Sequence, residues 1–256
     1  MILQQLCIVD TVQPVADNIF LLSFQAPLIA ASILPGQFLN IKIEDRTDPL
    51  LRRPFSVYRR DGDTLEIVFN VVGKGTTLLS RKRRGETIDV LGPLGVPFGV
   101  GGADFETALL VGGGLGVAPL PIATMALLKA GRKVFTFLGA RTAAQLVTAH
   151  LENLHIATDD GSRGFCGTVV ELVEDTISRR EFVRPKVFGC GPTAMLRALA
   201  ALTMKRDIAC EVSLEGPMAC GIGICQGCPV ELAGEEEAFA LMCKDGPVFD
   251  VRRIKL

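Results

Sequence analysis

Tryptophan is absent from this 256-residue chain, and tyrosine occurs once. Few aromatic platforms are therefore available on which single-stranded bases could stack. Charge of either sign is also missing in excess. Twenty-seven Lys and Arg against 28 Asp and Glu leave a net charge of −1, so there is no electrostatic footprint for nucleic acid or an anionic membrane. The opening MILQQLCIVDTVQPV lacks a basic region followed by a long apolar run, and no secretory signal is expected. One uncharged run, Thr107 to Leu128, is 22 residues long, enough to cross a bilayer. Four glycines and two prolines interrupt it, which predicts strand, turn and helix in a soluble core and no membrane association.

What the chain does have is apolar material, 48% of its residues, and eight cysteines. Cys7, Cys166, Cys190 and Cys210 are scattered, while the other four gather near the C-terminus. Clustered cysteines without secretory features point to metal before disulfides, and to the cytoplasm as compartment.

Three regions follow one another. Residues 1–102 hold short alternating or β-branched runs, such as NIFLLSFQAP and ETIDVLGPLG, bounded by Gly, Pro and Asp. The stretch around RRDGDT predicts a hairpin, and the whole a small antiparallel β-barrel. Residues 103–209 alternate strands (TALLVGG, KVFTFLGA, LHIATDDG, PKVFGCG) with helices (PLPIATMALLKAG, TAAQLVTAHLEN, TVVELVEDTIS, TAMLRALAALTMKR). That rhythm predicts a doubly wound parallel sheet, so the fold class is β plus α/β. Residues 210–256 are loop-rich and too few for a core of their own, which predicts a metal centre as their organiser.

In that tail Cys220, Cys225, Cys228 and Cys243 are spaced C-x4-C-x2-C-x14-C, the plant-type [2Fe–2S] pattern. Two bridged irons need four thiolates from a closely wrapping backbone. Gly221, Gly223 and Gly227 permit the wrapping and leave N–H groups free to aim at sulfur. Zinc is the competing metal, but structural zinc sites commonly pair two C-x2-C knuckles and only one is present. A set of merely buried thiols is the remaining alternative.

Upstream loops suit phosphates. Arg53 in RRPFS offers a bidentate partner for a pyrophosphate, Ser56 a short polar group, and Gly75 and Thr76 a helix start. VGGGLGVAPLP, with Gly113, Gly114, Gly116 and Pro119, closes a strand and opens a helix as a dinucleotide site requires, although Val117 breaks the G-x-G-x-x-G form. Cys190, Gly191 and Pro192 end another strand at the sheet edge where ligands bind. Each piece alone is also compatible with an ordinary turn. Asp159 and Asp160 suit the ribose hydroxyls of NAD, whereas neighbouring Ser162 and Arg163 suit NADP; the two carboxylates favour NAD. His150 and His155 are expected to be structural. RKRRGE, Arg81 to Glu86, is expected to be a solvated turn with partner docking as the alternative.

In this order the motifs resemble the ferredoxin–NADP reductase superfamily. LEGPMACGIGICQGCPVEL and MCKDGPVFD resemble more narrowly the electron-transfer subunits of class B, NAD-dependent dihydroorotate dehydrogenases. The resemblance implies FAD held by Arg53, Pro54, Phe55 and Ser56, with Asn70, Val71, Val72, Gly75 and Thr76 lining the rest. It implies a cluster on the four cysteines, NAD at the glycine and Cys190 loops, and an FMN-containing catalytic partner in a heterotetramer of two subunits of each kind. Electrons would pass from dihydroorotate through the partner's FMN, the cluster and FAD to NAD+, in pyrimidine biosynthesis. No acid–base residue is expected, and Cys190 would contact nicotinamide. Phe55 stands where the superfamily often has Tyr, which removes a hydroxyl from the flavin side. Rival readings are a ferredoxin-dependent NAD(P) oxidoreductase, a sulfide dehydrogenase subunit, or a non-enzymatic iron–sulfur redox sensor.

Overall fold

The computed structural model describes residues 1–44, 47–234 and 237–256. Alternation builds the first unit. β1 (Leu3–Ala16) and β2 (Ile19–Gln25) form a hairpin; a short helix α1 (Pro27–Ala30) follows, then β3 (Phe38–Lys42), β4 (Arg53–Ser56), β5 (Arg59–Asp61) and β6 (Thr64–Asn70). Helix α2 (Lys74–Leu79) and β7 (Thr87–Leu94) complete it. All the ladders are antiparallel, in the order β4-β3-β7-β1-β2-β6-β5. The sheet curls so that β4 lies against β6, enclosing Leu22, Phe24, Leu39, Ile41 and Leu65. Each such fully buried side chain contributes about 1.5–3 kcal/mol. The RRDGDT hairpin forms as expected, with Asp61 opposite Thr64 and Gly62 at φ 56°.

The second unit begins with β8 (Thr107–Gly113), every residue of which is buried, as a strand covered on both faces must be. A 3₁₀ turn (Gly114–Val117) leads into α3 (Leu120–Lys129), so the uncharged run is strand, turn and helix. Among the described residues no helix is long and apolar enough to cross a membrane. β9 (Lys133–Ala140), β10 (Leu154–Thr158), β11 (Phe165–Cys166), α4 (Val169–Arg179), β12 (Pro185–Cys190), α5 (Thr193–Lys205) and β13 (Ala209–Ser213) follow. The parallel order is β11-β10-β9-β8-β12-β13.

One helix expected from the sequence does not form. TAAQLVTAHLEN holds only a 3₁₀ turn, Ala143–Gln145, after which Leu146 is extended and His150 and Asn153 take positive φ. Tertiary contact overrides propensity there. Leu146 and Val147 are buried with Tyr58 of the barrel, and the Tyr58 hydroxyl donates to the carbonyl of Ala149 at 2.9 Å. His150 therefore stands in a loop against Tyr58, and His155 on β10 stacks on Phe137 at 5.0 Å.

The tail is woven into both units. β13 spans the expected boundary at 209/210: its ladder with β12 puts Cys210–Ser213 in the parallel sheet. A small hairpin, β14 (Pro229–Glu231) and β15 (Phe239–Leu241), precedes β16 (Val248–Asp250), which returns antiparallel to β13. Towards the barrel, Pro247 bridges Val96, and the amide of Asn40 donates to the carbonyl of Cys220 at 3.1 Å.

Candidate functional site

Glycines shape the chain around the cysteines. Gly221 and Gly223 adopt φ of 72° and 83°, conformations that glycine enters without a Cβ penalty. The resulting loop turns backbone N–H groups inward. Ile222 and Cys225 donate to Cys220 Sγ at 3.5 and 3.4 Å, Gly223 to Cys243 Sγ at 3.1 Å, and Cys243 to Cys228 Sγ at 3.5 Å. Burial acts to raise the Cys220 thiol, but the N–H donors of Cys225 and Ile222 outweigh it and bring it down to about 6. Burial, with Cys228 and Cys220 close by, pushes Cys243 up to about 12. Four thiolates so placed need cationic compensation, which is what a metal centre supplies. Among the described residues no three His, Cys, Asp or Glu side chains form a group suited to a single ion; a two-iron cluster takes four thiolates spread over two metals. The donor set fits that cluster better than zinc. Cys228 and Cys243 are buried, while Cys225 is exposed beside Ile224, which is 76% exposed.

A cleft of about 350 Å³ opens between the barrel and the parallel sheet, within the usual size of cofactor sites. β4 supplies one wall: Arg53, Pro54, Phe55 and Ser56 all line it, together with Asn70, Val72 and Thr76. Val71 packs against the barrel core instead. Gly75 lies behind Arg53, where a Cβ would come 3.4 Å from Nε. Thr76 Oγ1 accepts from the N–H groups of Val72 and Gly73 at 3.0 and 3.2 Å, which fixes the loop. Phe55 meets Phe69 edge-on at 5.8 Å. Leu115, Ala118 and Ser213 to Gly216 form the far wall. An arginine at one end, apolar rings at the middle and a length shared by two units suit a flavin dinucleotide.

Glu215 from that far wall was not foreseen. Cys190 Sγ donates to its Oε1 at 3.8 Å. Cys190 is wholly buried, and burial with the nearby Glu215 carboxylate pushes its thiol well above the ordinary range. Glu215 is likewise raised by desolvation, against the hydrogen bond from Cys190. A thiol held protonated is a poor nucleophile, and the Cys190 side chain has no surface open to a ligand.

A second cleft, about 390 Å³, lies at the carboxyl ends of the parallel strands, where such sheets bind ligands. Gly113, Gly114, Asp159 and Pro192 line it, with Arg141, Gln145 and Thr168, which sequence reasoning missed. Gly116 and Gly191 stand beneath: a Cβ on Gly116 would fall 2.1 Å from the Cys190 carbonyl oxygen and 2.7 Å from Gly191 Cα. Pro119 precedes α3 at φ −83°. The two adjacent carboxylates part company. Asp159 faces the cleft, whereas Asp160 accepts from the Ser162 N–H and hydroxyl at 2.9 and 2.6 Å, bonds that lower its pKa.

Residues 215–255 match the family model of the iron–sulfur cluster binding domain of dihydroorotate dehydrogenase B. Over 249 residues the chain is 39% identical to the dihydroorotate dehydrogenase B (NAD(+)) electron transfer subunit of Geobacillus kaustophilus, covering 94% of this chain and 95% of that one. It is equally similar, 39% over 249 residues with the same coverage, to the corresponding subunit of Bacillus caldolyticus. Among solved structures, an NADH-dependent reduced ferredoxin-NADP oxidoreductase superposes with a TM-score of 0.86 at 30% identity, over 98% of this chain and 90% of that one. A ferredoxin NADP+ reductase from Neisseria gonorrhoeae shares the fold, with a TM-score of 0.67 at 15% identity over 79% and 91% of the two chains.

Proposed function

The chain belongs to the electron-transfer subunits of dihydroorotate dehydrogenase B, and on that premise we propose how its residues divide the work. It is an oxidoreductase subunit that uses FAD, a [2Fe–2S] cluster and NAD, and it serves pyrimidine biosynthesis. When bound, FAD would supply the conversion between the two-electron hydride chemistry of NAD and the one-electron chemistry of the cluster.

Cys220, Cys225, Cys228 and Cys243 hold the cluster, and the inward N–H groups stabilise their thiolates. The observation that carries the assignment is the convergence of four backbone donors on three of these sulfurs. Arg53 neutralises the flavin pyrophosphate; Pro54, Phe55, Ser56, Asn70, Val71, Val72, Gly75 and Thr76 shape the rest of that site. In the second cleft, Gly113, Gly114 and Gly116 let a dinucleotide approach the backbone. Asp159 takes the ribose hydroxyls and disfavours a 2′-phosphate, while Asp160 secures the turn through Ser162. Pro119, Gly191 and Pro192 set the flanking helices, and Cys190 excludes water beside the nicotinamide. The exposed rim at Ile224 and Cys225 faces an FMN-containing catalytic subunit, in a heterotetramer of two subunits of each kind. Clustered thiols kept free for metal support a cytoplasmic setting.

The test is anaerobic purification with whatever partner accompanies the chain, followed by dihydroorotate-dependent reduction of NAD+. Activity with a co-purifying FMN protein is expected. NADH bleaching of the flavin without any dihydroorotate activity would overturn the substrate assignment and favour a ferredoxin-linked reductase, which the likeness to the NADH-dependent enzyme makes the second reading.

A further inference from the structure

Two side chains on the outer face of β3 lie between the two redox sites. Successive side chains of a strand point to opposite faces. Leu39 and Ile41 enter the barrel core, so Phe38 and Asn40 face the tail. Phe38 lines the flavin cleft and belongs to the same buried apolar cluster as Cys228 and Cys243. Asn40 is 1% exposed. The carbonyl of Cys220 that it meets can only accept, which fixes the amide with its nitrogen toward Cys220.

The strand position is itself held. Arg52 donates to the main-chain carbonyls of Asn40 and Asp89 at 3.2 and 2.8 Å, and to the Asp89 carboxylate at 2.7 Å. From the other side Gly221 leaves no slack, because a Cβ there would lie 2.6 Å from Asn40 Nδ2. Asn40 Oδ1 meanwhile has no hydrogen-bond partner among the described residues. Burying an amide is unfavourable unless its polar atoms are paired. An aliphatic residue would fill this position at lower cost, so what the amide secures is the contact with Cys220.

We propose that Asn40 is a positioning residue that, through the carbonyl of Cys220, sets where the first cluster ligand stands relative to Phe38 and the flavin cleft. Strand β3 is then the rigid link that fixes the spacing between cluster and flavin. This rests on the assignment of the cysteines and the cleft made above.

The test uses the anaerobically purified holoprotein, wild type beside Asn40→Leu, which keeps the branched shape and removes the donor. Asn40→Ala, smaller and without a side-chain donor, serves where leucine is not accommodated. Iron and flavin content, the electron paramagnetic resonance spectrum of the reduced cluster, and the rates of flavin bleaching and cluster reduction after NADH are measured. Flavin bleaching should stay within about twofold of wild type, because neither Asn40 nor Cys220 lines the flavin cleft or the second cleft. Cluster reduction should slow by about tenfold, the scale of losses when a group supporting a metal ligand is removed, with shifted resonance lines. Variants that lose iron but bleach normally would show the same dependence in its strongest form. A variant with full iron and flavin, an unchanged spectrum and unchanged cluster reduction would overturn the proposal. Wild-type protein lacking either a cluster signal or flavin would instead fail the site assignment.

Discussion

At the residue scale, close approach decides more than charge. Gly116 has an ordinary φ, so its glycine answers to space alone: the turn after β8 runs against the Cys190–Gly191 backbone. Gly116→Ala should destabilise the protein by about 1–3 kcal/mol, the usual result of overpacking. Thermal unfolding should show it, and NADH should bleach the flavin more slowly because the second cleft is splayed. Cys243→Ser should abolish the cluster spectrum while leaving flavin bound, since Cys243 lines no part of the flavin cleft. The cysteines were legible from spacing alone because they lie on one short loop and its return. Asn40 was not: its partner Cys220 is 180 positions away, and nothing in FLNIK distinguishes it from a solvent-facing polar residue. Glu215 and Arg141 escaped for the same reason, since each reaches its cleft only after the sheet has formed.

Among the elements, α4 has the clearest local logic. Thr168 Oγ1 accepts from the N–H of Glu171, and Glu171 Oε2 accepts from the Thr168 N–H at 2.7 Å and its hydroxyl at 2.8 Å, a reciprocal cap. Thr168→Ala should cost about 1 kcal/mol in urea unfolding at neutral pH. The backbone and hydroxyl bonds from Thr168 hold the Glu171 carboxyl below its ordinary value. Its contribution is therefore present above the ordinary glutamate pKa and lost as pH falls through the lower folded value. The gap between wild type and Thr168→Ala should narrow on acidification through that window; a constant gap would contradict the assignment. Such a cap is readable from T-x-x-E before an apolar run, and α4 was expected. TAAQLVTAHLEN looked equally helical and is not, because Leu146 and Val147 find burial against Tyr58, a gain invisible in local sequence.

In the whole molecule, two units of different topology share one cleft, and the tail joins both. The barrel and the parallel sheet were legible because alternation of two and strand–helix rhythm are local patterns. The weaving of the tail was not, since β16 adds to β13 from beyond the cysteines. Removing the cluster with a chelator under reducing conditions should lower the melting temperature yet keep most of the far-ultraviolet circular dichroism, because the two large sheets do not depend on the tail hairpin. The β13–β16 ladder has one more effect, in the order of biosynthesis. It draws the cysteine loop shut like a purse string, and β16 leaves the ribosome after all four cysteines. All four ligands are made before the string is pulled. A machinery that hands over iron and sulfide while the thiols are open therefore acts before that strand pairs, or must wait for it to loosen.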